Sequence, residues 1–325
     1  MGISVRSFAK GPGPSLGTTW KIAQQLRRDR PDVLHTHNHL VHHYGVLAGI
    51  IARTPVIVNT RHRAEHRFIN GPDGPRLVQE SPDRKSDWIF LATMPWVDGV
   101  VMISEVTRQF LIQHRGVPAA KSHVILNGGR LEVFLNQPAH PGSAAPRVRF
   151  GMAARLTAAK DHMNLLRAFA LVAGEIPGAE LQIAGDGELR AELEAFAQKL
   201  NLGNRLSFLG GLPHTAQFLS QLDIFVLSSL SEGLPLSILE AMAAGLPIVA
   251  TRAGGTEEAA RDGQNAYLVP TADSSALAEA MIRMARNPDL AAMGATGRQI
   301  VQDRFSIQRT WEEYYKLFLS LGAKA

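Results

Sequence analysis

The chain has 325 residues, 45% of them hydrophobic, and no cysteine, a length that suits two domains with cores of their own and a composition that excludes disulfides, zinc–thiolate sites and cysteine nucleophiles. No apolar run approaches the ~18–20 residues that cross a bilayer, and the residues after Met1 lack the apolar core of a secretion signal, so a cytoplasmic protein is expected. The formal charge of +5 is uneven, +7 over residues 1–146 and −2 over the rest; scattered basic residues without a recognition module argue against nucleic acid and leave anionic lipid or an acidic acceptor as partners for a mostly solvated surface.

In chain order, short β-rich runs alternate with helical patterns, which marks α/β domains with parallel sheets. The first part reads as strands at 3–8, 33–36, 56–59, 100–103 and 123–126, with helical patterns such as 18–28 and 43–53 between them. Residues 137–146, rich in proline and small side chains, form the best linker. The second series reads strand 148–152, helix 162–176, strand 180–184, helix 188–200, strand 206–208, helix 215–221 and strand 224–227. A helix opening near Pro235 and ending at Gly245 follows, then strands 248–251 and 266–269 and helices 274–286 and 288–305. A last helix, 307–321, places Trp311, Tyr314, Tyr315 and Phe318 at i, i+3, i+4 and i+7, one apolar face.

The segment from Ser231 to Gly245 is the most informative. It reads as a loop carrying Glu232, then a helix carrying Glu240. Proline suits a first helical turn, and a helix start offers unpaired N–H groups and a positive dipole end to a phosphate. The two carboxylates suit hydroxyl groups instead, so the pair of features fits a nucleotide sugar. Glu240 lies in a small, apolar stretch, where a charge needs a partner.

Strand 148–152 runs into a loop bearing Arg155 and Lys160. Ligands of open α/β sheets sit beyond the carboxyl ends of strands, and two cations there can offset a diphosphate; a pair of surface charges is the plain alternative. Gly185 and Gly187 follow strand 180–184 and permit a tight turn or close approach of backbone to a ligand. In the first part, His35, His37 and His39 follow one strand. A metal chelate is disfavoured, since no carboxylate lies nearby; one of them as a ligand or hydrogen-bonding group is preferred, and a structural role stays open for His35.

Taken in order, these motifs resemble those of the retaining family-4 glycosyltransferases. The matching pieces are Arg155 with Lys160, Gly185-Asp186-Gly187, the element from Glu232 to Glu240, and Ala253-Gly254-Gly255-Thr256-Glu257-Glu258 before Asn265. In the first half they are Pro31-Asp32-Val33-Leu34-His35-Thr36-His37, Val101-Met102-Ile103-Ser104 and Asn127-Gly128-Gly129. The resemblance implies a GT-B fold: two Rossmann-like domains with parallel sheets facing across a cleft. It implies an acceptor-side domain over 1–140, a nucleotide-sugar-binding domain over 147–305, and a C-terminal helix, 306–325, that crosses back to the first.

The resemblance also implies a reaction: transfer of a sugar from a nucleoside-diphosphate sugar to an acceptor hydroxyl with retention of configuration and without a metal or cofactor. Carried over by position, Arg155 and Lys160 bind the diphosphate, Glu232 the donor sugar and Glu240 the ribose. The backbone of Gly233, Leu234, Pro235, Leu236 and Ser237 holds sugar and phosphate, and His37 sits near the anomeric centre or the sugar hydroxyls. The acceptor can be lipid-linked, a polysaccharide or a small molecule, and the basic first half suits peripheral contact with the inner membrane face. The chain departs from the family at Ala154, where glycine is usual, and at Arg130, where an acid is usual. Met1 falls near the family's third strand, so the first domain is expected to be incomplete: an opening strand, a glycine-rich loop, a helix and a second strand are missing, which leaves a gap in the sheet. That motivates a second reading, a nucleotide-sugar-binding protein without transferase activity.

Overall fold

The computed structural model describes residues 4–8, 15–62, 67–71, 74–78, 84–136 and 147–324. The expected linker at 137–146 lies outside them, as does the side chain of His39. The chain clusters into two compact units, one of Met1–Ala64, Ser81–Ile125 and Trp311–Ala325, the other of Glu65–Glu80 and Leu126–Thr310.

The first unit begins with α1 (Leu16–Asp29), whose N-cap Ser15 accepts the Thr18 N–H at 3.2 Å. It continues through β1 (Val33–His37), α2 (His39–Ala52) and β2 (Val56–Arg61). A hairpin of β3 (Arg67–Gly71) and β4 (Gly74–Val78) belongs to the second unit. Then come α3 (Arg84–Thr93), β5 (Gly99–Met102), α4 (Glu105–Arg115) and β6 (Ser122–Val124). The four strands form a parallel sheet in the order β1-β2-β5-β6. Alternate residues serve opposite faces. Val56, Val58 and Val101 pack with Ile125 and Leu317 on one side, while Ile57, Val100 and Met102 pack with Val46, Phe90 and Leu111 on the other.

The expected first strand does not form among the described residues. Ser4–Phe8 carries no ladder and exposes Val5, while Arg6 donates to Gln25 of α1 at 2.7 Å. Among the described residues nothing apolar buries this segment, all of which is exposed, so its alternating pattern has no face to cover.

The second unit holds α5 (Glu132–Leu135), β7 (Val148–Ala153), α6 (His162–Glu175), β8 (Ala179–Ala184), α7 (Arg190–Lys199) and β9 (Leu206–Gly210). It goes on through α8 (Ala216–Leu219), β10 (Ile224–Leu227), α9 (Leu236–Ala243), β11 (Ile248–Thr251), β12 (Ala266–Val269), α10 (Ser274–Ala285) and α11 (Leu290–Arg304). Its six parallel strands run β12-β11-β10-β7-β8-β9. The chain moves outward from β7 through β9, returns to β10 beside β7, and moves outward the other way. That reversal makes a crevice at the carboxyl ends of β7 and β10, the general ligand position of open α/β sheets.

The units part at Ile125, earlier than the expected linker, because residues 126–136 are tied to the end of the second unit. Gly129 N–H donates to Phe305 O at 3.1 Å, the Thr310 hydroxyl to Leu126 O at 2.9 Å, and Arg298 to Leu135 O. The last helix, α12 (Ile307–Ser320), packs Tyr314, Leu317 and Phe318 on the first unit's sheet. Trp311 and Tyr315 are 57% and 55% exposed, so the packed face is shifted toward Leu317 and keeps only Tyr314 and Phe318 of the expected aromatic stripe.

Candidate functional site

The loops after β7, β8, β10 and β11 meet at one edge of the second unit's sheet. A side chain at Gly185, where φ is +148, would strike the carbonyl oxygen of Ala154, and one at Gly187 would strike that of Leu156. Hydrogen bonds knit the same loops: Leu156 N–H to Asp186 O at 3.0 Å and Leu189 N–H to Leu156 O at 3.2 Å. These two glycines therefore bring backbone against backbone, and in doing so they place the loop that carries Arg155. Gly254 does the same for Glu232: its left-handed φ of +55 brings it onto the Glu232 carbonyl, which accepts the Gly255 N–H at 3.3 Å.

Lys160 and Glu232, 72 positions apart, are in direct contact. Lys160 Nζ lies 2.5 Å from Glu232 Oε1, and the same oxygen accepts the Ser229 hydroxyl at 2.6 Å. Both loops are fixed through their main chains. The Ser228 hydroxyl donates to Lys160 O at 2.9 Å and Asp161 O at 3.0 Å, and Leu230 N–H donates to Ala159 O at 2.9 Å. Arg155 is exposed; its carbonyl accepts the Thr157 N–H at 2.9 Å, and no hydrogen bond or ion pair of its guanidinium is found among the described residues.

Pro235 proves to be the N-cap of α9, one position ahead of the expected helical turn, with φ −74 and ψ 110. Its carbonyl accepts the Ile238 N–H at 3.1 Å, so the N–H groups of Leu236 and Ser237 open the helix. Gly233, Leu234 and Pro235 are buried, Ser237 is half-buried and Leu236 is exposed. The helix ends as the glycine requires, with Gly245 at φ +81. One turn inside α9, Glu240 accepts the Thr215 hydroxyl on Oε2 at 2.8 Å. Burial raises its pKa and the Thr215 bond opposes the rise. The two acids thus stand in separate hydrogen-bond networks, Glu232 with a cation and Glu240 with a hydroxyl.

Beneath Lys160 lie two buried titratable groups. Asp161, in the left-handed region at φ +44, caps α6 by accepting the Asn164 N–H at 3.3 Å. Desolvation raises its pKa from 3.8 to about 6, against opposing contributions from that bond and from Arg167. His162 is buried with neither ring nitrogen hydrogen-bonded to a described residue, and desolvation, helped by the Lys160 charge, lowers its pKa from 6.5 to about 4.

In the first unit, His37 Nδ1 lies 2.8 Å from His62 Nε2, and the His35 ring stands 4.2 Å from that of His37. His35 Nε2 hydrogen-bonds the Thr60 hydroxyl at 2.7 Å, which bonds the Tyr314 hydroxyl of α12 at 2.8 Å. Desolvation lowers the pKa of all three histidines, His35 to about 4. His37 is the exposed member and ends this network. No group of three or more metal-ligating side chains is gathered among the described residues.

Ser228, Ser229, Thr60, His62 and Thr215 were not singled out in the sequence, and Tyr314 was read only as part of an apolar face. Ser229 precedes Glu232 by three positions, a spacing at which a hydroxyl can serve a carboxylate, and that signal was available. His62 follows β2, the parallel neighbour of β1, in a register that pairs His37 with Thr60. Thr215 and Tyr314 are joined to their partners only by tertiary structure.

Comparison with known proteins agrees with this architecture. The family model described as glycosyl transferases group 1 matches residues 136–299, about half of the chain, and the model described as glycosyltransferase family 4 matches residues 2–132. The chain is 26% identical over 313 residues to the UDP-Gal:alpha-D-GlcNAc-diphosphoundecaprenol alpha-1,3-galactosyltransferase of Escherichia coli, covering 91% of this chain and 77% of that one. It is 33% identical over 175 residues to EpsD of Bacillus subtilis, 53% of this chain and 46% of that relative's length. The crystal structure of Anabaena HepE in complex with UDP superposes with a TM-score of 0.78 at 21% identity, covering 93% of this chain and 82% of that one. Two Rossmann-like parallel-sheet units of this kind make the GT-B fold.

Proposed function

The chain belongs to the glycosyl transferases group 1 family, and from that premise we propose that it transfers a sugar from a nucleoside-diphosphate sugar to an acceptor hydroxyl, with retention of configuration and without a metal. The observation that carries the reading is the meeting of Lys160, Glu232, the Arg155 loop and the start of α9 at the β7/β10 reversal. Positive groups and main-chain donors there suit a diphosphate, and Glu232 and Glu240 suit hydroxyls of sugar and ribose. That HepE was crystallised with UDP supports the same ligand class.

In this reading the difficult step is departure of the diphosphate from an oxocarbenium-like sugar. Arg155, Lys160 and the N–H groups of Leu236 and Ser237 stabilise the charge that develops on the leaving oxygen. The departing phosphate oxygen takes the acceptor proton, which accords with transfer on the retained face. Glu232 orients the sugar, Gly233 and Leu234 line its path with backbone, and Glu240 accepts from the ribose. His37 is assigned to the sugar on the strength of the family resemblance. A relative whose name places its acceptor on a diphosphoundecaprenol lipid supports peripheral contact with a membrane through the basic first part; among the described residues no helix is long and apolar enough to cross one.

The test is turnover of a panel of UDP-, GDP- and ADP-sugars by the full chain and by Lys160→Met and Glu232→Ala. Loss of a charge-stabilising group such as Lys160 costs about 10²–10³ in kcat, and loss of the sugar-orienting Glu232 is expected to lower turnover as well. Unchanged turnover in either variant removes that residue from the mechanism, and donor binding without transfer or hydrolysis in the parent chain overturns the transferase reading.

A further inference from the structure

Lys160 and Glu232 are more than neighbours in a binding site. The ammonium and the carboxylate are bonded to each other at 2.5 Å, with side chains only 19% and 9% exposed. The main chains behind them are held by Ser228, Leu230 and Gly255. The loops therefore cannot shift to give each residue a separate ligand. A phosphate that recruits Lys160 must take it from Glu232 or share it, and it must do so beside a carboxylate of its own sign. The Ser229 hydroxyl keeps that carboxylate in place, since it bonds the same Oε1.

Two ligands meet this arrangement differently. A sugar diphosphate brings hydroxyl donors to Glu232, which replace the Lys160 ammonium as partners and leave the lysine to the phosphates. A bare nucleoside diphosphate brings charge and, with its ribose hydroxyls given to Glu240, no donor to Glu232, so Glu232 is left opposing it. Resting on the donor-site reading above, we infer that Glu232 sets the site's preference for sugar-bearing over bare diphosphate by competing for Lys160. After transfer the sugar hydroxyls depart, Glu232 recaptures the lysine, and the diphosphate product is released. The carboxylate thus serves the sugar on entry and expels the product on exit, which couples turnover to one ion pair.

The experiment is titration calorimetry of the full chain with UDP, GDP and ADP, and with the sugar nucleotide of whichever base binds. Glu232→Gln keeps the shape and the bond from Ser229 but removes the charge. It is expected to bind the bare diphosphate three- to tenfold more tightly than the parent and to suffer stronger product inhibition, while binding the sugar nucleotide less tightly. Glu232→Asp, with a shorter reach to Lys160, should show a smaller gain of the same sign. In a Lys160→Met background the Glu232→Gln gain should shrink, because the contested group is gone and only the like-charge repulsion is relieved. A bare diphosphate that binds Glu232→Gln no better than the parent overturns the inference, and so does a gain that is undiminished without Lys160. Failure of the underlying reading has a different signature: no diphosphate binds the parent, or Lys160→Met binds as tightly as the parent.

Discussion

Replacing Asp161 by asparagine should stabilise the protein at neutral pH. Asp161 is 4% exposed, and burial raises its pKa from 3.8 to about 6. The folded state therefore holds a proton on this carboxyl that the unfolded chain has already released between those two values. Whatever stability the protonated acid provides is complete below pH 3.8 and lost as pH rises to about 6. At ~1.36 kcal/mol per pKa unit, the ionised carboxylate costs about 3 kcal/mol at pH 7. Asparagine tolerates the left-handed conformation at φ +44 and keeps an oxygen to accept the Asn164 N–H, so the cap survives and the charge does not. Asp161→Asn should thus match the parent near pH 3.8, gain with rising pH, and level off above pH 6 at about 3 kcal/mol more stable.

His162, next in the chain, has the opposite slope. Its pKa falls from 6.5 to about 4, so stability from the buried neutral ring is present above 6.5 and lost as pH falls toward 4. In the parent chain the two slopes offset each other between pH 4 and 6; in Asp161→Asn the histidine slope stands alone. Urea unfolding of both proteins at half-unit steps from pH 4 to 8 reads this directly. An asparagine variant that is less stable than the parent at pH 7.5, or whose gain does not change with pH, refutes the reasoning.

Three further outcomes are expected. Gly185→Ala forces a side chain into the Ala154 carbonyl at φ +148; it should cost about 1–3 kcal/mol by urea unfolding and weaken nucleotide binding by calorimetry through displacement of the Arg155 loop. Thr215→Val removes the hydroxyl that restrains the raised Glu240 pKa; on the proposed ribose role of Glu240, the ionised carboxylate is the stronger acceptor, so nucleotide affinity should weaken on the acid side, beginning at a higher pH than in the parent. Tyr314→Phe deletes the bond from α12 to Thr60 while leaving Thr60 on His35, and should lower stability by about 1 kcal/mol.

The order of strands and helices was legible because apolar periodicity switches between two and 3.6 along the chain. The parallel sheets follow from it, and with them the position of Arg155, Lys160 and Glu232 at strand ends. Helix α4 was not singled out in the sequence, although its local signals are there, with Ser104 as N-cap and Gly116 in the left-handed conformation beyond its end. What the sequence could not show is which strand-end residues touch. The Lys160–Glu232 bond depends on β10 returning beside β7, a choice of neighbour that no local pattern encodes. The aromatic stripe of α12 misled for a related reason. Its spacing is helical, but the face that packs is chosen by Leu317 and Phe318, which find a sheet to bury against, and not by Trp311. In the same way the glycines after β8 signalled close approach correctly, and only the fold reveals that the approaching atoms are the neighbouring loop's carbonyls.

The two serines that follow β10 explain how a short loop can be rigid in its backbone and still responsive in its charge. Successive residues of an extended chain point to opposite sides, and here the two sides have different tasks. The Ser228 hydroxyl bonds the carbonyls of Lys160 and Asp161, fixing the path of the chain from which the lysine projects. The Ser229 hydroxyl bonds the Glu232 carboxylate, and its own carbonyl accepts the Thr251 hydroxyl from β11 at 2.5 Å. Neither bond uses the lysine ammonium. The paths of these two loops are therefore held by hydroxyls and main-chain groups, and the Lys160–Glu232 contact is left as the element that a ligand can displace. Removing Ser228 would loosen the place from which the lysine acts, whereas removing Ser229 would loosen the acid that competes for it, so the two hydroxyls, adjacent and chemically identical, stand on opposite sides of the same contest.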